Sequence, residues 1–276
     1  MTDTVQIVAI LVSSTFLLVV LDRIWNATFP GRVLVEAWED GRSTIQPASP
    51  RFREERIKLL DVHAHSEAAR QIIFSAPILR FLTLVFERPA LAFQSLNFRW
   101  GSQQDIHQDT AFVKVSSPLE FAASWVALED IQPDSGELEY YVGSHELDDY
   151  LFADGQKWMP APFKAATYDA FIQSLDARSR QGGLRRARFL PKKGDVLIWS
   201  ADLAHGGSKN ASPGVTRKSL VTHYCPVTCK PLYGVPSSRR RRYSDTALYS
   251  FPIRPEASPF FRLGRKVAQW VTKVRG

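Results

Sequence analysis

Three residues in two separate segments have the types and spacing of a metal site. His107 and Asp109 are two positions apart, and side chains at i and i+2 of an extended strand point to the same side. The pair can therefore chelate one ion, and His205, which follows the apolar strand Asp195–Trp199, can add a third ligand. Two histidines and one carboxylate leave three adjacent coordination positions open, which suits non-haem Fe(II) that activates oxygen.

A second pair of residues could hold a carboxylate. Arg217 and Ser219 lie at the start of a predicted strand, twelve residues after His205, and share a face. A guanidinium and a hydroxyl on one face can grip a carboxylate and fix its orientation. An oxidisable 2-oxo acid requires such a clamp beside a metal triad, because it chelates iron at one end and is anchored at the other.

The segment Asp61-Val62-His63-Ala64-His65 offers a competing interpretation, since Asp-x-His-x-His resembles the first metal segment of amidohydrolases. That family needs a (β/α)₈ barrel of about 250 residues. Only 211 residues follow His65, and their alternation is antiparallel in style. A structural or surface role for His63 and His65 is therefore favoured, and a metal-dependent amidohydrolase stays as a remote alternative.

Other polar residues are candidates for substrate contact. His223 lies on the Arg217 strand and could line a barrel, although burial with a hydrogen-bond partner is favoured. Arg185, Arg186 and Arg188 could meet an anionic group of a substrate, although a solvated basic stretch is favoured. His145 follows a Gly-Ser turn, where local hydrogen bonds are favoured over substrate contact.

The elements that must position these residues are mostly strands. The spacing predicts a helix over Ser66–Phe86, divided or kinked near Pro77. Alternating apolar residues predict strands at 91–99, 111–115, 121–128, 138–142, 195–200 and 218–224. Residues 144–190 interrupt this rhythm, and we interpret them as a lid-like insertion with a helix near 168–179. Many short strands with one excursion indicate an antiparallel barrel or sandwich with helices packed outside.

Composition and charge set limits on domains and partners. The 276 residues are 45% hydrophobic, enough for one large domain with appendages. We divide them into an apolar segment 1–29, a main domain 30–229 and a basic extension 230–276. The extension holds eleven Lys and Arg against two acids, so the remaining chain carries −2 of the total +7. Nucleic-acid binding is therefore not expected, and two cysteines suit a reducing, cytoplasmic compartment.

The two ends of the chain raise the question of membrane contact. Residues 5–21 contain no charge and lie at the lower end of the length of a membrane span. A buried helix or strand is favoured there, and a membrane anchor stays open. Residues 260–274 have the pattern of a basic amphipathic helix, which either docks on its own domain or lies on a membrane surface. Membrane association and a lipid-like substrate therefore remain open, and the role of Arg239–Arg242 is not assigned.

Taken in order, these segments resemble the phytanoyl-CoA dioxygenase family of Fe(II)/2-oxoglutarate-dependent oxygenases. The likeness covers about residues 90–226. The matching segments are Ile106–Thr110 around the first two ligands, Trp125, Asp134–Leu138 followed by Gly143-Ser144-His145, and Lys193–Asn210 around the distal histidine.

The resemblance implies a double-stranded β-helix, that is, a jelly-roll or cupin-like barrel, mainly β with flanking helices. It implies Fe(II), 2-oxoglutarate and O₂ as cofactor and co-substrates. Arg217 and Ser219 would then bind the distal carboxylate of 2-oxoglutarate, with Trp125 beside it. Halogenating relatives carry a small residue in place of Asp109, so hydroxylation, or a related desaturation or ring closure, is expected rather than chlorination. A barrel of the same fold that only binds ligands, or holds a different metal, is the alternative.

Overall fold

The computed structural model of the chain describes residues 7–9, 33–39, 42–117, 120–212 and 214–254. Its strands are β1 (Ile7–Ala9), β2 (Leu34–Glu39), β3 (Arg42–Pro47), β4 (Lys58–Leu60), β5 (Ala90–Phe98), β6 (Ala122–Ala127), β7 (Leu138–Tyr141), β8 (Arg186–Phe189), β9 (Asp195–Ser200), β10 (His205–Gly207), β11 (Ser219–Pro226), β12 (Arg241–Ser244) and β13 (Ala247–Tyr249). Its α-helices are α1 (Glu67–Ile73), α2 (Ala76–Phe86) and α3 (Ala165–Gln181).

The strands form two sheets that face each other. The major sheet has the order β1-β9-β6-β11-β5-β4-β2-β3, with β13 pairing in parallel with β5 and β12 pairing with β13. The minor sheet has the order β10-β7-β8 and is antiparallel. One buried cluster joins Trp125, Leu197 and Val221 of the major sheet to Leu138 and Phe189 of the minor sheet. This arrangement confirms the predicted double-stranded β-helix.

Strand β11 shows how alternation divides the molecule, because all its residues are buried. Val221 belongs to the cluster between the two sheets. Leu220 and Tyr224 point the other way and pack with the helices, where the Tyr224 hydroxyl donates to the Ile73 carbonyl at 2.9 Å. Side chains of β11 at odd positions therefore face the barrel interior, and those at even positions face the outer core.

The helical region is divided as the sequence predicts. The Ser66 side chain accepts a hydrogen bond from the Ala69 amide and caps α1. Helix α2 starts with Pro77 in its first turn, where its missing N–H costs nothing, and the two helices bend by 54°. Within the described residues no single helix is long and apolar enough to cross a membrane, and only this bent pair meets the length and composition for it.

Two predictions about elements are wrong. Residues 111–115 form no strand, because a 3-10 turn at Asp109–Ala111 directs the Phe112 and Val113 amides onto the Asp109 carbonyl at 2.9 and 2.8 Å. The predicted insertion 144–190 includes β8, which pairs with β7. The insertion therefore ends before β8. We call residues 144–184, which contain α3, the lid segment.

Predictions for the ends of the chain fall mostly outside the described residues. Within the apolar segment 1–29, only β1 is described, paired with β9. The rest of residues 5–21 and the predicted amphipathic helix at 260–274 lie outside. Of the arginine run, Arg241 and Arg242 belong to β12, and both are exposed.

Candidate active site

The three predicted metal ligands converge at one point inside the barrel. The Nε2 atoms of His107 and His205 lie 3.8 and 3.7 Å from Oδ1 of Asp109. One donor atom of each residue lies within 4.8 Å of the other two, and all three residues are buried. Among the described residues this is the one group of three or more His, Cys, Asp or Glu side chains with such spacing.

Backbone hydrogen bonds hold the two ligand segments together. The His107 amide donates to the His205 carbonyl at 2.8 Å, and the His205 amide donates to the His107 carbonyl at 2.9 Å. A Cβ atom at Gly206 would lie 2.7 Å from the Gln104 carbonyl oxygen, so only glycine permits this approach. The i and i+2 ligands share a side as predicted, although Asp109 starts a 3-10 turn instead of continuing a strand.

Both histidines are oriented for metal binding by backbone carbonyls. Nδ1 of His107 lies 2.7 Å from the Asp105 carbonyl oxygen, and Nδ1 of His205 lies 2.9 Å from that of Leu203. A carbonyl only accepts, so Nδ1 carries the proton and Nε2 turns its lone pair to the centre. Burial, and next the neighbouring His205, lower the pKa of His107 to about 3. It is therefore neutral at physiological pH, as a ligand must be.

Asp109 is held as a charged ligand. Its Oδ2 accepts a hydrogen bond from the Trp199 indole at 3.1 Å and lies 3.7 Å from Nε2 of His223. Burial alone would raise the pKa of Asp109, but the neighbouring histidines and Trp199 bring it below its usual value. Oδ1 remains directed at His107 and His205. Two imidazole nitrogens and one carboxylate oxygen are the donor set that non-haem Fe(II) takes, so the residues present fit that ion.

The predicted clamp is a buried cation. Arg217 is 3% exposed and Ser219 is fully buried. Nη1 of Arg217 donates to the Ser219 hydroxyl at 2.5 Å, and Nε donates to the Gly136 carbonyl at 3.0 Å. Its guanidinium carbon lies 5.2 and 5.3 Å from the ring centroids of Phe98 and Trp125. Trp125 thus lies beside the clamp, as the family resemblance implies.

Arg217 has the electrostatics of an anion site. Burial lowers its pKa to about 10, against the opposing charges of Glu129 and Glu137, so the group stays charged at neutral pH. No carboxylate among the described residues lies within ion-pair distance of it, and its two hydrogen bonds leave three of five N–H donors. A buried charge of this kind needs a counter-ion.

The clamp and the triad open onto the same interior. Ser219 and His223 are four residues apart on the inward face of β11, about 13 Å along the strand. His223 lies beside Asp109, whereas Ser219 contacts Arg217. Trp125 and Val221 pair between these two positions. The inward face of β11 therefore has the metal site near His223 and the buried cation near Ser219, with Val221 and Trp125 packed between them.

The structure separates the remaining predicted residues. His223 has Nδ1 at 2.8 Å from the Gln94 side-chain oxygen, and its side chain is 4% exposed. A substrate contact for His223 stays a prediction. His145 is a surface residue whose Nε2 lies 3.9 Å from Glu146. Arg186 does not face the site, since it lies on the outer face of β8 and pairs with Glu139 at 2.5 Å. Contact of Arg186 with the substrate stays a prediction, and this placement does not support it.

The amidohydrolase alternative is also wrong. Both ring nitrogens of His63 are engaged, by the Ser95 hydroxyl at 2.7 Å and the Ser250 carbonyl at 2.9 Å. Asp61 adopts a left-handed conformation and lies 4.0 Å from Arg254. Asp61 and His65 line a separate pocket of about 130 Å³. The fold is not a (β/α)₈ barrel, so the segment has no such metal site to complete.

Sequence reasoning missed side chains that contact the ligands and their neighbours, among them Gln104, whose Nε2 lies 3.3 Å from Nε2 of His107. Trp199 donates to Asp109, and Gln94 fixes His223. Trp199 lies in the strand that precedes His205, but its indole contacts a ligand from a segment 90 positions away. Spacing along the chain carries no signal for such a contact.

The lid segment packs against residues that flank His107 and Asp109. Its Met159 amide donates to the Ala111 carbonyl at 2.8 Å, and the Tyr168 hydroxyl donates to Asp105 at 3.0 Å. Burial, and then Asp105, raise the pKa of Tyr168, so its hydroxyl keeps the proton that it donates. Phe112 lies between the rings of His107, at 5.5 Å, and Tyr168, at 6.2 Å, and is 40% exposed.

Several solved structures share this fold. The alpha-ketoglutarate-dependent carbocyclase SnoK from nogalamycin biosynthesis is 16% identical, with a TM-score of 0.60 and 82% of each chain covered. The epimerase SnoN, solved in complex with Fe3+, alpha ketoglutarate and nogalamycin RO, is 16% identical, with a TM-score of 0.59 over 89% of this chain and 94% of its own. EctD from S. alaskensis with bound Fe is 18% identical, with a TM-score of 0.57 over 82% and 74%.

No protein of curated function matches the chain. A family model does match: phytanoyl-CoA dioxygenase (PhyH), over residues 42–219, which is more than half of the chain. The matched range includes the triad and the clamp. The chain therefore belongs to the phytanoyl-CoA dioxygenase family and is a 2-oxoglutarate-dependent, non-haem iron oxygenase.

Proposed function

We propose that this chain hydroxylates a small-molecule substrate, with conversion of 2-oxoglutarate and O₂ to succinate and CO₂. The observation that carries the proposal is the convergence of His107 Nε2, Asp109 Oδ1 and His205 Nε2 inside a barrel that also buries the guanidinium of Arg217. One oxygen atom goes to the substrate and the other to succinate, so the reaction balances without a further reductant.

The chain's own residues bind and orient. His107, Asp109 and His205 would hold the iron, which supplies oxygen activation when 2-oxoglutarate is bound. Arg217 and Ser219 would hold the distal carboxylate of 2-oxoglutarate by charge-assisted hydrogen bonds. The buried apolar cluster around Trp125 lies between the two sites and excludes water. No side chain has to act as a general base, since the protein's contribution is geometry and a dry site.

Asp109 supports hydroxylation over halogenation. Its Oδ1 faces both histidines and its Oδ2 is held by Trp199, so the carboxylate takes the position that a halide would need. The related solved structures include a carbocyclase and an epimerase, so the fold alone does not select the outcome. Hydroxylation is the outcome we propose for this chain because it needs no further substrate group.

Anaerobic absorption spectroscopy tests the proposal. Fe(II) and 2-oxoglutarate together should give a weak visible charge-transfer band in the wild type. Asp109→Ala should abolish it. Asp130→Asn removes an exposed carboxylate that pairs with Lys192 and should leave the band unchanged. The absence of a band in the wild type would favour the alternative, a ligand-binding barrel without this chemistry. Succinate release over a panel of acyl-thioesters, amino acids and lipids then narrows the substrate.

We also propose peripheral membrane contact, supported by the basic amphipathic pattern of residues 260–274. Flotation of the full chain with anionic liposomes at low salt tests it. A chain that stays free of the liposomes contradicts the idea.

A further inference from the structure

Strand alternation divides the arginines next to the lid segment into two groups. Arg186 and Arg188 point to the outer face of β8, where Arg188 pairs with Glu137 at 3.1 Å and Arg186 with Glu139. These two cations are neutralised. Ala187 and Phe189 point inward and belong to the interior cluster.

Arg185 belongs to the inward group. The register pairs Tyr141 with Arg186, and the Val142 amide donates to the Arg185 carbonyl at 3.0 Å, which continues the ladder by one step. Directly opposite residues project from the same face, and Val142 packs against the interior cluster. Arg185 is exposed, and within the described ranges it has no ion-pair partner. It therefore places an unneutralised guanidinium at the rim of the barrel.

Tyr140 lies between Arg185 and the metal site. It pairs with the ligand His205 on one side and with Ala187 on the other. It is 7% exposed, and its hydroxyl has no hydrogen-bond partner in the described part of the chain. The register places Arg185 opposite Val142 and therefore diagonally across from Tyr140 on the same inward face. Burial raises the pKa of the Tyr140 hydroxyl, and the positive charge of Arg185 opposes this rise. The hydroxyl is not among the fully buried atoms without a partner, so it is open to water or to an acceptor on a ligand.

We propose that Tyr140 and Arg185 form a recognition site for an anionic group, a carboxylate or a phosphate, on the substrate. Phenol and guanidinium both donate, and neither is neutralised by the protein. Because Tyr140 and His205 are cross-strand neighbours, about 5 Å apart between Cα atoms, the anion is held one strand from the metal. The substrate class that fits is a small organic anion whose oxidised carbon lies a few bonds from its charge.

This inference rests on the proposed function, and it differs from the co-substrate clamp. Arg217 contacts Ser219 on the major sheet, whereas Tyr140 and Arg185 belong to the minor sheet and its edge. The barrel therefore has two anion sites on opposite walls, one for 2-oxoglutarate and one for the substrate.

Calorimetry on the full chain, loaded anaerobically with Fe(II) and 2-oxoglutarate, tests the site. The probes are hexanoate and hexyl phosphate with their uncharged counterparts, hexanamide and hexanol. We expect the wild type to bind one of the anions about tenfold or more tightly than its uncharged counterpart. The preferred anion distinguishes a carboxylate from a phosphate substrate. Arg185→Gln should remove the preference, and Tyr140→Phe should reduce it, while binding of the uncharged probes stays unchanged.

Arg186→Gln is the matched control, because it removes a neighbouring cation on the outer face and should keep the preference. The charge-transfer band is recorded first in every variant, and it should persist at the wild-type 2-oxoglutarate concentration. If the wild type gives the charge-transfer band but binds the anions no more tightly than their uncharged counterparts, the inference is overturned and the proposed function is not. Equal losses of the preference in Arg185→Gln and Arg186→Gln have the same meaning. A higher 2-oxoglutarate requirement in Arg185→Gln also overturns it, since Arg185 would then serve the co-substrate. No band in the wild type overturns the proposed function instead.

Discussion

The Trp199 indole should set the strength of iron binding without touching the metal. Trp199→Phe removes the hydrogen bond that Oδ2 of Asp109 accepts at 3.1 Å. Trp199 is 4% exposed, so water cannot readily replace the lost donor. A hydrogen bond to a buried charged group contributes roughly 1.5–3 kcal/mol, and partners of metal ligands typically change affinity about 10- to 100-fold. We therefore expect Fe(II) affinity to fall by about 10- to 100-fold.

Competition with a chelator under argon measures this affinity, and the visible spectrum of bound Co(II) reports the coordination geometry. Trp100→Phe is the matched control, because the Trp100 indole nitrogen is buried and has no hydrogen-bond partner. That variant should bind iron as the wild type does. Thermal unfolding of both metal-free variants establishes that they are folded. Iron affinity within twofold of the wild type in Trp199→Phe, or an equal loss in Trp100→Phe, would refute the reasoning.

Three further predictions concern the clamp, a buried carboxyl and a close backbone contact. Arg217→Gln should keep iron affinity but raise the 2-oxoglutarate concentration for half-maximal charge-transfer absorbance about 100-fold, as expected for loss of a charged donor; an unchanged titration contradicts the clamp. Burial raises the pKa of Asp61 from 3.8 to about 7. Between about pH 4 and 7, Asp61 is therefore protonated more in the folded chain than in the unfolded chain, and the free energy of unfolding falls as pH rises. Asp61→Asn, which tolerates the left-handed backbone, should remove this fall, and urea unfolding at pH 5 and 8 should show the variant gaining a few kcal/mol relative to the wild type; a gain independent of pH contradicts it. Gly206→Ala brings a Cβ to 2.7 Å from the Gln104 carbonyl oxygen and should lower both Tm and iron affinity; a variant with wild-type values would show that the two segments can separate without cost.

The sequence predicts those strands whose alternation of apolar and polar residues matches the burial of their side chains in the fold. Strands β5, β6, β7, β9 and β11 were each indicated by apolar residues, and all are central to the sheets. The strand predicted at 111–115 failed because the Asp109 carbonyl accepts local amide hydrogen bonds and starts a turn. Strand β8 was missed because its outward arginines suggested a solvated loop, whereas they pair with Glu139 of β7 and with Glu137, which directly precedes β7.

The residues of the candidate site likewise include some that the sequence predicts and some that it does not. Ligands and clamp follow from spacing within short segments, since i and i+2 residues share a face. Trp199 and Tyr140 act through neighbours that the fold brings from distant parts of the chain. The difference between Arg185 and Arg186 depends on strand register, which needs the partner strand to be known. The sequence therefore predicts which functional side chains of one segment share a face, but it does not predict the contacts between segments.

Asp105 connects the lid segment to the metal centre, and the connection has a thermodynamic consequence. Its carboxylate accepts the Tyr168 hydroxyl bond from α3, and its carbonyl fixes Nδ1 of His107. Coupling between two equilibria is reciprocal. If closure of the lid segment strengthens iron binding by a given free energy, then bound iron stabilises the closed lid segment by the same free energy. The iron-depleted chain should then be cut faster by proteases within residues 144–184, so metal occupancy becomes visible as a cleavage rate.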